Sequence, residues 1–460
     1  MSIALAPVDV LNLIGNTPLV EVRTFDVGRC QLFIKLESHN PGGSIKDRIG
    51  RSMIEAAERA GLIGPGSTLV EATAGNTGLG LALVAARKAY RLVLVIPDKM
   101  SREKVFHLRA LGAEVVMTRS DVGRGHPQYY QDLAERITRE TPGAYYINQF
   151  NNPANPQAHE TTTGPEIWDQ TGHDLDAVVC GVGSGGTLTG LSRFFAEHAP
   201  HVEMVLADPT GSVLAEYIRT GFMGEAGSWV VEGIGEDFIP PIADLTRVRQ
   251  AFTVTDLESL STARALLRKE GILAGSSSGT LVAAAVRYCR QQSEPKRVVT
   301  FVCDSGNKYL SKMFNDFWLA DHGFAKTQPL GDLRDVISRR FADGAVVSVS
   351  PDEPLAIAYQ RMRMYDISQL PVIDQKQIVG ILDESDLLLA ASAEVDAFTH
   401  PCRARMTTQL ETVSRQAALP ELLVILNAGK VAIVVDGGEF HGLITRVDLL
   451  NYLRRERRAA

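Results

Sequence analysis

One lysine and four glycine-rich clusters are the features of this 460-residue chain that most clearly suggest chemistry. The clusters are residues 40–48 (NPGGSIKDR, which contains Lys46), 73–80 (TAGNTGLG), 181–187 (GVGSGGT) and 274–279 (AGSSSG). Glycine turns at helix starts let backbone N–H groups and the helix dipole bind an anion such as a phosphate. A lysine amine forms a Schiff base with an aldehyde. Pyridoxal phosphate carries both groups and fits this combination.

The third cluster has a competing interpretation, because it also satisfies the dinucleotide pattern G-x-G-x-x-G. Asp208 follows the next predicted strand, where an acidic residue would bind a ribose. Taken alone, this loop fits a dinucleotide and another phosphate equally well. A nicotinamide dehydrogenase would leave the other three clusters without a purpose. A nucleotide sensor with an inactive catalytic half is a further alternative, and the presence of Lys46 argues against it.

The segments between the clusters predict alternating strands and helices from about residue 15 to 315. Continuous apolar runs predict strands at 68–72, 92–96, 114–118, 177–180, 202–207 and 298–302. Apolar side chains at helical spacing predict helices around 49–57 and 101–111. This order indicates a mostly parallel sheet that is buried on both faces. We expect all four clusters at strand-to-helix junctions, where open sheets bind ligands.

The C-terminal part of the chain contains an internal repeat. The sequence QLPVID at 369–374 and its continuation to Leu388 match residues 431–450, so that Gly380 pairs with Gly442 and Asp386 with Asp448. A repeat of this length indicates two copies of one unit packed together. We therefore predict a catalytic domain at 1–320, a linker at 321–330, and two repeats at 331–395 and 396–460.

Composition narrows the class of protein. The formal net charge of −7 argues against nucleic acid as a partner, and no apolar run is long enough for a membrane helix. The early Asp9 and the lack of a basic leader do not resemble a signal peptide. Five scattered cysteines without a C-x-x-C pair indicate reduced thiols and a cytoplasmic protein. We expect no metal site.

Several motifs in order carry a family resemblance that runs from about Gly15 to Trp318. The four clusters, together with residues 147–168 (INQFNNPANPQAHETTTGPEIW), resemble the fold-type-II pyridoxal phosphate enzymes, in the cysteine synthase and cystathionine β-synthase group. The repeat resembles tandem CBS domains, which bind adenosyl ligands. The fold class implied is α/β, with two parallel-sheet subdomains followed by an α+β tandem CBS-domain module. A homodimer or homotetramer is typical of this family.

The resemblance implies a role for each matching residue. Lys46 would hold the cofactor as a Schiff base and then act as base and acid at the substrate Cα. Asn76 would bind the phenolic oxygen of the cofactor, and Ser277 would face its pyridine nitrogen. The phosphate would bind to Gly183, Ser184, Gly185, Gly186 and Thr187. The substrate carboxylate would bind to Thr73, Ala74, Gly75, Asn76, Thr77 and Gln149.

The activity implied is condensation of L-serine with L-homocysteine to cystathionine, with possible release of hydrogen sulfide from cysteine. The alternative is a cysteine synthase that uses O-acetylserine and sulfide. Three departures bear on this choice: Ala74 replaces a common serine, and Phe150 and Glu236 replace tyrosines of the animal β-synthases. No Cys/His pair precedes the catalytic domain, so we expect no haem.

The repeat implies a regulatory site, with Asp386 and Asp448 as ribose contacts and Thr445 beside the second. Asp383 stands where the first copy would need a threonine, and its charge would repel a phosphate. We therefore favour an adenosyl ligand without phosphates, such as S-adenosylmethionine, at the second copy. The alternative is a module that binds no ligand and serves as a dimerisation surface.

Overall fold

The computed structural model describes residues 8–73, 75–98, 100–324 and 329–459, with side chains to residue 456. Ala74 and residues 325–328 of the predicted linker lie outside the described residues. The chain divides into two compact units, Met1–Phe314 and Asn315–Ala460. In the described residues, no helix is both long and apolar enough to cross a membrane.

The first unit is built on two sheets. Its strands are β1 (Leu19–Glu21), β2 (Gln31–Leu36), β3 (Thr68–Ala72), β4 (Arg91–Pro97), β5 (Glu114–Thr118), β6 (Ala144–Tyr146), β7 (Ala177–Cys180), β8 (Glu203–Pro209), β9 (Val248–Val254) and β10 (Arg297–Val302). One sheet has the order β1-β2-β10-β7-β8-β9, parallel except for β1, and the other has the order β5-β4-β3-β6, all parallel. The predicted fold of two parallel-sheet subdomains is confirmed.

Helices cover these sheets and supply most of the connections. They are α1 (Lys46–Arg59), α2 (Asn76–Lys88), α3 (Arg102–Ala110), α4 (Tyr130–Glu140), α5 (Ala154–Ala158), α6 (Gly164–Gln170), α7 (Gly186–His198), α8 (Leu214–Thr220), α9 (Asp256–Glu270) and α10 (Ser276–Arg290). A π-helical stretch, His159–Thr163, joins α5 to α6. In the larger sheet, side chains of α7 and α10 pack with those of β2, β7, β8 and β10 in one apolar core.

The predicted strands all form, and those at 68–72, 114–118 and 177–180 agree residue for residue. The prediction that every glycine cluster follows a strand is wrong for the fourth. That cluster lies between α9 and α10, and only Ala274 makes a single β-bridge there, to Ser305.

The second unit contains two similar halves. The first has α12 (Leu355–Tyr365), β11 (Gln369–Asp374), β12 (Gln377–Asp383) and α13 (Glu384–Ala393). The second has β13 (Thr412–Val413), α14 (Leu419–Asn427), β14 (Ala432–Asp436), β15 (Glu439–Ile444) and α15 (Arg446–Ala459), and α11 (Asp316–Asp321) precedes both. Each half has an antiparallel hairpin with a register shift at the same place, after Val372 and after Val434. The predicted duplication is therefore present as structure.

Candidate active site

The four glycine clusters lie at the N-termini of four helices of the first unit, α1, α2, α7 and α10. Lys46 is the first residue of α1 and Asn76 the first of α2. These two helices are in very close contact, because a Cβ at Gly80 would lie 2.5 Å from the Lys46 carbonyl oxygen. A Cβ at Gly50 would likewise lie 2.6 Å from the backbone of Gly80. Glycines thus bring Lys46 beside the start of α2.

Lys46 is surrounded by groups from the end of β10. The carbonyl of Cys303 accepts a hydrogen bond of 2.8 Å from the amide of Ile45, which precedes Lys46. Burial lowers the pKa of Lys46, and the nearby Cys303, Asp304 and Glu37 oppose that shift. A lysine whose pKa is lowered more readily supplies the neutral amine needed for nucleophilic attack and proton transfer.

The loop after β7 forms a cradle whose shape requires glycine. A Cβ at Gly183 would lie 2.6 Å from the carbonyl oxygen of Gly233, and one at Gly186 would overlap the side chain of Asn155. Gly185 has φ +92°, a left-handed conformation that favours glycine. The first amides of α7 have no intrahelical acceptor and, with the hydroxyls of Ser184 and Thr187, fit a phosphate.

A buried histidine lies behind this cradle. His159 Nε2 is 3.2 Å from Thr187 Oγ1, and its Nδ1 is 2.9 Å from Thr163 Oγ1. Burial lowers the pKa of His159 well below its ordinary value, and the positive charge of Lys46 contributes in the same direction. His159 is therefore neutral.

The three consecutive serines at the start of α10 have different contacts. Ser276 Oγ accepts a hydrogen bond of 3.0 Å from the amide of Glu232, and Ser278 Oγ accepts one of 3.0 Å from the amide of Cys303. The Ser277 hydroxyl interacts with the Cys303 thiol, whose pKa burial raises to about 12. Ser277 therefore lies next to Cys303, the residue that contacts the Lys46 loop.

The predicted substrate loop is tied to the rest of the site by buried hydrogen bonds. Thr77 Oγ1 donates to Gln149 Oε1 at 2.7 Å, and the amide of Gly75 donates to Thr73 Oγ1 at 3.2 Å. Asn155 Nδ2 donates to the Gln149 carbonyl and to Ser184 Oγ, both at 2.9 Å. Asn155 thereby links the substrate loop to the phosphate cradle. Ala74 lies outside the described residues.

Asn76 is held from both ends of its amide. Its Nδ2 donates to Asp304 Oδ2 at 2.7 Å, and its Oδ1 accepts a hydrogen bond of 3.0 Å from Lys308 Nζ. The hydroxyl of Tyr309 also donates to Asp304 Oδ2, at 2.7 Å. The structure thus brings Asn76 together with residues 304–309, to which the sequence motifs assign no chemical role.

The dehydrogenase interpretation fails at Asp208. This residue is 1% exposed, and its Oδ2 accepts a hydrogen bond of 2.8 Å from the Ala215 amide in α8. Burial raises the pKa of Asp208 to about 6. A buried side chain that binds the start of a helix is not available to a ribose.

The second unit contains its own cavity of about 540 Å³. Thr445 and Asp448 line it, together with Phe317, Arg339 and Lys430. The amide and hydroxyl of Thr445 both donate to Asp448 Oδ2, at 2.7 and 2.6 Å. Asp386 instead forms a reciprocal capping pair with Asp383 in the first half and is not part of the cavity wall.

Comparisons with known proteins agree with this arrangement. The model of the pyridoxal-phosphate dependent enzymes matches residues 10–304, and that of the CBS domain matches 333–393 and 402–455. Cystathionine beta-synthase of Dictyostelium discoideum is 36% identical over 97% of this chain and 92% of its own length, and that of Apis mellifera is 33% identical over 97% and 91%.

Solved structures resemble the first part of the chain. An O-acetylserine dependent cystathionine beta-synthase from Helicobacter pylori has a TM-score of 0.62 and 36% identity, and the match covers 67% of this chain and 98% of that one. A hydrogen sulfide-producing enzyme from Fusobacterium nucleatum has a TM-score of 0.62 and 35% identity, over 66% of this chain and 100% of that one. The chain therefore belongs to the cystathionine beta-synthase family of pyridoxal-phosphate dependent enzymes.

Proposed function

We propose that this chain condenses L-serine with L-homocysteine to give cystathionine and water. The observation that carries the proposal is the position of Lys46 at the start of α1, which packs against α2 and is bonded through Ile45 to Cys303, the partner of Ser277. The reaction breaks the Cβ–O bond of serine and forms a Cβ–S bond to the homocysteine thiol. Bound pyridoxal phosphate supplies the electron withdrawal that makes the serine Cα acidic.

The phosphate of the cofactor would bind Gly183, Ser184, Gly185, Gly186 and Thr187. No lysine or arginine belongs to this set, so backbone amides and the α7 dipole supply most of the attraction. The neutral His159 supports the Thr187 hydroxyl from behind. The cradle therefore fits the phosphate without an added positive side chain.

Serine would bind through its carboxylate at the start of α2, where Thr73, Gly75 and Thr77 present amides and hydroxyls. Gln149 is fixed against this loop by its hydrogen bond from Thr77. Lys46 would take the proton from Cα and later return it, because its lowered pKa makes the neutral amine more accessible. Ser277 would leave the pyridine nitrogen unprotonated, since a neutral hydroxyl does not stabilise its charge. That favours loss of the Cβ substituent over longer-lived carbanions.

A second candidate, the use of O-acetylserine or sulfide, is favoured by Phe150. This side chain is buried and packs on Phe238, with ring centroids 5.7 Å apart, at the position where animal β-synthases have tyrosine. It has no hydroxyl to assist a hydroxide leaving group. A better leaving group such as acetate would need less assistance.

Mass spectrometry of products from the purified protein tests the proposal. Serine and O-acetylserine are each paired with homocysteine and with sulfide, and initial rates are compared across the four mixtures. The proposal predicts that serine with homocysteine gives the highest kcat/KM. Faster reaction of O-acetylserine with sulfide would identify a cysteine synthase. Faster reaction of O-acetylserine with homocysteine would show an enzyme that makes cystathionine but prefers O-acetylserine to serine.

We further propose that the cavity of the second unit binds an adenosyl ligand such as S-adenosylmethionine, with Asp448 as the ribose contact.

The domain boundaries proposed are a catalytic domain at 1–320, a linker at 321–330, and two repeats at 331–395 and 396–460. We also propose a cytoplasmic homodimer or homotetramer. All five cysteines lie within the described residues as free thiols, which supports a reducing compartment.

A further inference from the structure

Lys308 is a second lysine close to the candidate active site, and the proposed reaction assigns it no role. It is 7% exposed, and its Nζ donates to the carbonyls of Gly42 and Gly43, each at 3.1 Å, and to Asn76 Oδ1 at 3.0 Å. An ammonium group has three hydrogens, so these three acceptors use all of them. Lys308 thus connects the loop before Lys46 to the first residue of α2.

The contacts of Asn76 fix which end of its amide faces which neighbour. Oδ1 accepts from Lys308, while one Nδ2 hydrogen is donated to Asp304 Oδ2 at 2.7 Å. The second Nδ2 hydrogen is left to bind an acceptor in the site. If the amide turned over, Oδ1 would face the carboxylate of Asp304, and the lysine would meet an N–H group. Both contacts would be repulsive.

We propose that Lys308 is a positioning residue that locks the Asn76 amide so that its Nδ2 donates to the phenolic oxygen of pyridoxal phosphate. The ammonium group also polarises this amide, because a hydrogen bond from a cation to Oδ1 makes the Nδ2 hydrogens better donors. The phenolic oxygen would therefore be stabilised in its anionic form. The inference rests on the proposed role of Asn76 and is independent of which substrates the enzyme uses.

The charge state of Lys308 agrees with this role. Burial lowers the pKa of Lys308 to about 8, an effect that Asp304 and Asp47 oppose and Lys104 strengthens. The ammonium form therefore predominates at neutral pH. Arginine at this position would keep a permanent positive charge and hydrogen-bond donors. Methionine would keep a side chain of similar length and lose both the charge and the donors.

The test uses the full-length protein and pyridoxal phosphate alone, without substrate. Apoprotein of the parent and of the Lys308→Met, Lys308→Arg and Asn76→Ala variants is titrated with the cofactor, and absorbance gives both the spectrum and the dissociation constant. Lys308→Met is expected to shift the visible absorption band and weaken cofactor binding about 10- to 100-fold, the range for a lost charged hydrogen bond. Lys308→Arg should restore both. In the Asn76→Ala background, Lys308→Met should change binding less than about threefold.

Lys296→Met serves as a control, because Lys296 also donates two hydrogen bonds, to Glu203 and Tyr288, on another face of the same unit. It should leave the cofactor spectrum unchanged. An unchanged spectrum in Lys308→Met, or an equal loss in the Asn76→Ala background, would overturn the proposal. If Lys308→Met does not fold, Lys308→Leu, which also lacks the charge and the donors, is titrated instead, and a parental spectrum there would have the same meaning. A failure to form cystathionine would count against the proposed reaction alone.

Discussion

Replacing Gly80 with alanine tests whether the packing of α1 against α2 positions Lys46. The new Cβ would lie 2.5 Å from the Lys46 carbonyl oxygen and 2.8 Å from its carbonyl carbon. Ordinary contact begins near 3.4 Å, so the two helix starts must separate by about 0.9 Å. A misplacement of about 1 Å in a catalytic site costs about 100-fold in rate. We therefore expect kcat/KM for cystathionine formation to fall about 100-fold.

The fold should survive this change, because alanine is about 1 kcal/mol better than glycine inside a helix and offsets part of the strain. Gly64→Ala is the matched control, since a Cβ there meets nothing within 4 Å and Gly64 does not have a left-handed φ. It should change kcat/KM less than about twofold. Rates are measured at saturating cofactor, with circular dichroism as the check on folding. A Gly80→Ala enzyme within threefold of the parent would refute the reasoning.

Two further predictions concern carboxylates, one buried and one in the wall of the cavity. Burial raises the pKa of Glu71 to about 8, so its side chain takes up a proton when the protein folds at neutral pH. Stability therefore falls as the pH rises. Between pH 6 and pH 7.5, the unfolding free energy of the parent should fall by about 2 kcal/mol relative to that of Glu71→Gln. Urea unfolding followed by tryptophan fluorescence at the two pH values measures this, and a difference that does not change with pH would contradict it. Asp448→Asn should weaken S-adenosylmethionine binding at least about tenfold by calorimetry. Asp386→Asn should leave it unchanged, and equal effects of both would show that the cavity is not the site.

The strands could be predicted where their apolar runs are continuous, as in β3, β5 and β7. β2 was not predicted, because its sequence QLFIKL places a lysine inside a buried strand. Lys35 is fully buried, and its Nζ donates to the Thr17 carbonyl and to Glu166, both at 2.7 Å, and to Gln170 Oε1 at 2.8 Å. Glu166 is 131 residues away in the sequence. Local sequence does not reveal such a partner. β9 was missed for a related reason, since Arg249 and Gln250 interrupt its apolar pattern.

The residues of the candidate site, too, could be predicted from the sequence only in part. Glycine clusters could be found because tight turns at helix starts require a particular residue type. Asn155, His159, Asp304 and Lys308 could not, because each is an ordinary polar residue whose role depends on partners distant in sequence. The hydrogen bond between Asn76 and Asp304, for example, spans 228 residues. Two signals were available: the motif at 147–168 contains Asn155 and His159, and the run DSGNKY at 304–309 lies within the stretch that the resemblance covers. The resemblance assigned no role to these four residues.

The identity of the lysine that carries the cofactor is the central claim, because two other buried lysines, Lys104 and Lys308, donate to the hydrogen-bond network of Asn76, Asp304 and Tyr309. Holoprotein is reduced with borohydride, which fixes the cofactor to the amine that holds it, then digested and sequenced by mass spectrometry. We expect the phosphopyridoxyl mass on Lys46, and we expect it to disappear in Lys46→Ala. The label on Lys308 or Lys104 of the parent protein would contradict the account.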